Sequence, residues 1–270
     1  MRFYNIQTKS FTDKHDDIIV DHKDFSIILT FPHSGHLIPE ELLEYIDVDS
    51  FYYSLDHEWY LDQIYPCVGT RIIPSISRYA VNLNRSSGKP PQYVDMWKRN
   101  LLKKPIPQEV LIAISRQYYQ AYYFAVEQAI ERMKMLRGFA LVLDCHSYNS
   151  VGLPLFPDPG KERPAFNVAD GNGTSCGSQF TSTFVEALEN NSHGWHVGVN
   201  APYKGGYFSK KFGKPSEGVH VLQLEVQRKL FMVECLELNN VPATALQFLP
   251  TEAKNVQGVL SKAVTALKNT

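Results

Sequence analysis

Short, dense apolar runs alternate along the chain with longer stretches in which apolar positions recur every three or four residues. Phe25 to Phe31 (FSIILTF) is compact and β-branched, and predicts a buried strand closed by Pro32-His33-Ser34-Gly35. Pro39 to Tyr45, with Pro first and acids in the first turn, predicts a short helix. Leu55 to Tyr65 predicts another, and Thr70 to Ile76 and Tyr79 to Leu83 predict two further strands. Residues 86 to 108 carry Ser-Ser-Gly and four prolines, an irregular excursion of the kind that often serves function.

From Gln108 to Leu136, Val110, Ile114, Tyr118, Ala121, Ala125, Ala129 and Met133 mark one face of a long helix, which Gly138 ends. Phe139 to Leu143 (FALVL) predicts a fully buried strand running into Asp144-Cys145-His146-Ser147. Residues 149 to 178 read as a long loop, Ser178 to Asn190 as a helix, and His196 to Asn200 as a short strand. Lys204 to Pro215 reads as a Gly- and Lys-rich loop, Val219 to Val226 (VHVLQLEV) as a strand, and Thr251 to Leu267 as a closing helix. Alternation of this kind predicts an α/β fold, a mixed central sheet with helices on both faces, and a single domain over residues 1–270.

Composition narrows the class. In 270 residues, 27 Lys and Arg face 28 Asp and Glu, so a nucleic-acid binder relying on bulk phosphate attraction is not expected. At 44% hydrophobic and 20% charged, the chain reads as an ordinary globular enzyme. Cys67, Cys145, Cys176 and Cys235 form no C-x-x-C pair, which argues against a zinc ribbon and a disulfide framework. No apolar leader run precedes Asp24, and Phe139 to Leu143 is far too short to span a bilayer, so a cytoplasmic placement without membrane contact is expected.

Three polar side chains, His33, His146 and Glu225, sit at the carboxyl ends of expected strands, the edge at which open α/β sheets bind ligands. Two histidines and one carboxylate suit a catalytic zinc site with an open fourth position. Asp56, Glu58 and Asp62 compete as the acid ligand, His36 is a reserve ligand, and Asp144 is placed to orient His146. His220 lies five residues before Glu225 and therefore on the opposite face of its strand, which makes it structural. A thiol hydrolase built on Cys145 and His146 is a competing reading, weakened because adjacent strand residues face opposite ways. A non-catalytic small-molecule binding protein is a third.

Seven blocks occur in order: Pro32-His33-Ser34-Gly35 with Ile38-Pro39, Asp56-His57-Glu58-Trp59, Ser77 to Arg85 (SRYAVNLNR), Asp144-Cys145-His146-Ser147, Asp170 to Cys176 (DGNGTSC), Tyr203-Lys204-Gly205-Gly206-Tyr207, and Gly218 to Glu225 (GVHVLQLE). Together they resemble the N-formylglutamate amidohydrolase family across about residues 25 to 235. The resemblance implies a phosphorylase/hydrolase-like fold, as in zinc carboxypeptidase-like and aspartoacylase-type hydrolases. It implies zinc held by His33, Glu58 and His146, with Glu225 as general base and Arg78, Asn84 and Arg85 gripping a substrate carboxylate. The implied substrate is a small N-acyl amino acid, N-formyl-L-glutamate foremost, with a related zinc deacylase or carboxypeptidase as the alternative.

By chemistry, Arg78 also suits a developing oxyanion, Arg85 a two-pronged carboxylate grip, and Lys204 a second positive charge for a dicarboxylate. The chain departs from the family pattern at three positions. Asn82 replaces an Asp before Leu-Asn-Arg, Tyr123 replaces a His in the long helix, and Glu58 replaces the commoner Asp.

Overall fold

Burying apolar runs also buries their backbone N–H and C=O groups, which must then pair. The computed structural model describes residues 2–5, 7–8, 10–12, 18–48, 55–87, 93–192 and 194–270. Strands β1 (Phe3–Asn5), β2 (Ser10–Thr12) and β5 (Leu37–Pro39) form a small antiparallel sheet in the order β2-β1-β5. The main sheet runs β3 (Ile18–His22), β6 (Thr70–Pro74), β4 (Ile28–Thr30), β7 (Ala140–Tyr148), β10 (Val219–Gln227), β8 (Phe166–Ala169), β9 (Val197–Val199). It is mixed: β6, β4, β7 and β10 are mutually parallel, whereas β3 and β8 pair antiparallel to their inner neighbours.

Every residue of β7 and of β10 is buried, as strands covered on both faces require. Helix α1 is Leu61–Ile64, α2 Gln108–Arg137, α3 Ser178–Asn191, α4 Tyr207–Phe212 and α5 Pro250–Lys268. Tyr122 and Tyr123 of α2 pack against Phe208 of α4 on the face that carries Asp144. On the other face, Phe180 of α3 packs on His220, and α3 packs in turn on α5. Among the described residues, no helix is long and apolar enough to cross a membrane.

Several expectations need correction. Leu55 to Tyr65 is not one helix, because Tyr60 takes a left-handed conformation at φ 63° and only Leu61–Ile64 is helical. Asp56, His57 and Glu58 are all buried, whereas Asp62 is exposed. Tyr79 to Leu83 is a turn, held by Ala80 and Val81 N–H donating to the Ser77 carbonyl, and its apolar pattern reflects burial. The helix expected over Pro39 to Tyr45 is reduced to a 3-10 turn at Glu40–Leu42, because Pro39 ends β5.

The loop at 149 to 178 contains β8, and that at 204 to 215 contains α4. Strands β1, β2 and β3 occupy an N-terminal stretch whose polar residues gave no strand signal. Within the excursion at 86 to 108, residues 88–92 lie outside the described residues.

Candidate active site

The three central parallel strands deliver their polar residues to one edge. Thr30, Asp144 and Gln223 share a cross-strand row, and His146 and Glu225 form the next row toward the carboxyl ends. His33 arrives three residues past β4, in a turn closed by Ser34 N–H donating to the Phe31 carbonyl at 3.1 Å. Gly35 is required just after it, since a Cβ there would lie 2.2 Å from the Ile76 carbonyl oxygen.

Glu58 comes from the irregular segment before α1 and meets both imidazoles. Its Oε1 is 2.8 Å from His33 Nδ1, and its Oε2 is 3.2 Å from His146 Nδ1. The Ser147 backbone N–H donates to Oε2 at 3.0 Å, and Arg78 Nη1 lies 3.4 Å from Oε1. One ligand atom from each of His33, Glu58 and His146 lies within 4.8 Å of the others, and all three residues are buried.

These residues fit a divalent cation. Two imidazole nitrogens and a carboxylate are the donor set of a three-ligand zinc site, whose bonds of about 2.0–2.1 Å hold neighbouring ligand atoms roughly 3.3 Å apart. Each ring is also held by its other nitrogen: His33 Nε2 lies 3.0 Å from Asn82 Oδ1, and His146 Nε2 lies 3.2 Å from Asp144 Oδ2. With a cation bound, an N–H donated to each oxygen would leave both Nδ1 lone pairs to ligate it, the arrangement metal-binding histidines need. Thr30 donates to the other Asp144 oxygen at 3.0 Å, which fixes that carboxylate. Asn82, the departure from the family pattern, thus supplies a neutral acceptor to His33.

The electrostatics follow from close packing. Burial opposes ionisation of Glu58, but His146 and His33 hold its carboxyl well below the usual range. Burial pushes the Glu225 carboxyl up to about 7, with His146 opposing and the Glu58 charge adding to the rise. Gln223 Nε2 donates to Glu225 Oε1 at 2.9 Å, while Gln223 Oε1 accepts from Gly206 N–H at 2.7 Å, so Gln223 ties Glu225 to the loop before α4. Period-two spacing places Gln223 beside Glu225, but only the structure shows its partner.

Three adjoining cavities of about 130, 420 and 300 Å³ share Arg78 and Tyr203 in their walls. The smallest holds His33, Glu58, His146 and Glu225. Across all three, with Arg163 offset by Asp158, the cations Arg78, Arg85, Lys210 and Arg228 face the acids Asp56, Glu58 and Glu225. That excess of positive charge favours an anionic ligand.

Asn84 lines two of the cavities. Its Oδ1 accepts from Phe208 N–H at 3.0 Å at the start of α4, and its Nδ2 sits 3.2 Å from His146 Nε2. Gly206 makes this possible, since a Cβ there would lie 2.5 Å from the Asn84 amide. Lys204 lines none of the three cavities. The helical turn absent from the sequence reading carries Lys210 to the largest one instead, beside Arg85.

The remaining candidates lie elsewhere or are engaged. Asp56 accepts from the Tyr79 hydroxyl and lines the cavity without joining the His-Glu-His group. Asp62 is exposed, and His36 packs beside Trp59, its ring centroid 5.9 Å away. His220 Nδ1 accepts from Gly177 N–H at 3.1 Å on the far face of the sheet. Tyr123 donates to the Leu83 carbonyl at 2.8 Å and stacks on Phe212, so it braces the turn before Asn84. Arg163, which no motif singles out, is buried in a two-pronged pair with Asp158, with bonds of 2.7 Å, and donates to the Tyr203 hydroxyl.

Cys145 points away from His146, its thiol directed at the Leu143 carbonyl 3.4 Å away, and burial pushes it well above the usual thiol range. A thiolate nucleophile is therefore disfavoured. Cys145→Ala is expected to keep hydrolytic turnover within about twofold in steady-state assays, and loss of turnover in a folded variant would restore the thiol reading.

A sequence model described as N-formylglutamate amidohydrolase matches residues 25–232. The chain is 25% identical over 224 residues to an N-formylglutamate deformylase of Pseudomonas putida, covering 77% of this chain and 82% of that protein. It is 28% identical over 195 residues to an N-formylglutamate deformylase of Pseudomonas aeruginosa, covering 66% and 72%. The fold is shared with the crystal structure of an N-formylglutamate amidohydrolase from Ralstonia eutropha JMP134, at a TM-score of 0.74 and 18% identity, over 94% of this chain and 99% of that one.

Proposed function

The chain belongs to the N-formylglutamate amidohydrolase family, and we propose that it hydrolyses the amide of a small N-acyl amino acid, N-formyl-L-glutamate foremost, to formate and L-glutamate. The observation that carries this reading is the convergence of His33, Glu58 and His146 in a cavity that Glu225 also lines.

A divalent cation held by His33, Glu58 and His146, zinc by its donor set, would polarise the formyl carbonyl and acidify water near neutrality. Glu225 then acts as general base. Its carboxylate takes a proton from the attacking water and delivers it to the amide nitrogen as the C–N bond breaks. The hydrogen bond from Gln223 holds one carboxylate oxygen and leaves the other to face the reactants. Arg78, in the walls of all three cavities, meets the negative charge that develops on the carbonyl oxygen.

Formylglutamate carries two carboxylates, and the largest cavity offers Arg85 and Lys210 to read them. Loss of one charge-assisted contact is worth about tenfold in binding. Lys210→Ala is expected to raise KM for N-formyl-L-glutamate by about that factor with kcat little changed, while Lys204→Ala alters KM less than about twofold. Steady-state kinetics of the two variants check this, and the reverse ranking would return the role to Lys204.

A further inference from the structure

Glu58 sits on a segment that is neither helix nor strand, yet its carboxylate meets two imidazoles from other parts of the chain at 2.8 and 3.2 Å. Something must fix that segment against β7. Arg228, directly after β10, is 2% exposed and reaches both. Its Nη1 donates to the Leu55 carbonyl at 3.2 Å and its Nη2 to the Asp56 carbonyl at 3.4 Å, three and two residues before Glu58. Its Nε donates to Ser147 Oγ at 3.2 Å, and Nη1 also donates to Asn149 Oδ1 at 3.3 Å. The Ser147 backbone N–H in turn donates to Glu58 Oε2.

The arithmetic of this side chain separates its role from substrate binding. A guanidinium has five N–H groups in a rigid fork, and four of them are used here. Every acceptor is neutral, and no carboxylate lies within ion-pair distance of Arg228 among the described residues. Burying a cation that is hydrogen-bonded only to neutral acceptors costs free energy that an apolar side chain would avoid. What the fork supplies in return is direction: four bonds that join the 55–56 segment, the end of β7 and the end of β10 at fixed separations.

We propose that Arg228 is the positioning residue for the cation site: by pinning Leu55 and Asp56 to Ser147 and Asn149 it sets the spacing of Glu58 from His146, and with it the affinity for a divalent cation. The inference rests on the metal-site reading above. Arg228 also lines the cavity that holds His33, Glu58 and His146, so the test reads zinc binding, which a substrate contact would not move, rather than turnover.

The experiment titrates zinc ion into full-length protein stripped by chelator dialysis. Wild type is compared with Arg228→Met, Arg228→Lys and Ser147→Ala, and the melting temperature of each stripped protein is recorded alongside. Loss of an outer partner of a metal ligand typically costs about 10–100-fold in affinity. Arg228→Met is expected to fall in that range. Arg228→Lys keeps the charge but not the fork, and stays weaker than wild type. Ser147→Ala loses one acceptor, keeps the backbone N–H to Glu58, and shows a smaller loss in the same direction; should Arg228→Met fail to fold, this variant decides.

Zinc affinities of the folded variants within twofold of wild type, with only melting temperatures lowered, would make Arg228 a structural residue and overturn the proposal. A wild-type protein that binds no zinc would overturn the metal-site reading itself, a different failure.

Discussion

Glu225→Gln is expected to lower kcat for N-formyl-L-glutamate by about 10²–10⁴-fold, the span a positioned general base contributes. The amide that replaces the carboxylate still offers Gln223 an acceptor oxygen, so the cavity and substrate affinity are retained. Zinc content should also be unchanged, because Glu225 lies outside the His33-Glu58-His146 group. This combination separates a hydrolase from a protein that only binds its ligand, for which the substitution changes little. Turnover within threefold of wild type would remove Glu225 from the chemistry.

His146→Ala is expected to act at an earlier step. It removes one of three ligand atoms and also the partner of Asp144, so a buried carboxylate loses its neighbour. Zinc affinity should fall by more than the ~10–100-fold that follows loss of an outer partner, and hydrolysis should fall with it. The same substitution at His220, on the opposite face of the sheet, should leave zinc affinity intact. Equal effects of the two substitutions on zinc affinity would show that position relative to the sheet edge does not matter.

Much of this site is legible from the amino-acid order because its scaffold is parallel sheet. Strands buried on both faces must be nearly continuous apolar runs, and FSIILTF, FALVL and VHVLQLEV announce themselves as such. The polar residues that interrupt or follow those runs, His33, His146 and Glu225, then mark the functional edge.

Glu58 is harder to read, because its segment mimics a helix: Leu55, Trp59 and Leu61 are apolar since the segment is buried, while the left-handed Tyr60 breaks the periodicity. Tyr79 to Leu83 misleads in the same way, a buried turn whose composition imitates a strand.

Tertiary context decides the rest. α4 forms between glycines, where Phe208 and Phe212 pack on Tyr123, and this exchanges Lys204 for Lys210 at the cavity. Strand β3 is short and partly polar, and takes its form from pairing with β6. Gln223 lies in a run already accounted for as strand and Arg228 directly after it, so only their partners reveal what they do.

The central claim is that His33, Glu58 and His146 together hold one divalent cation on which amide hydrolysis depends. The most direct measurement is elemental analysis of the purified protein paired with formate release from a panel of N-formyl and N-acetyl amino acids, before chelator dialysis, after it, and after return of zinc. Close to one metal ion per chain is expected, with N-formyl-L-glutamate as the preferred substrate, loss of turnover on stripping, and recovery with zinc. Full turnover by protein shown to be metal-free would contradict it.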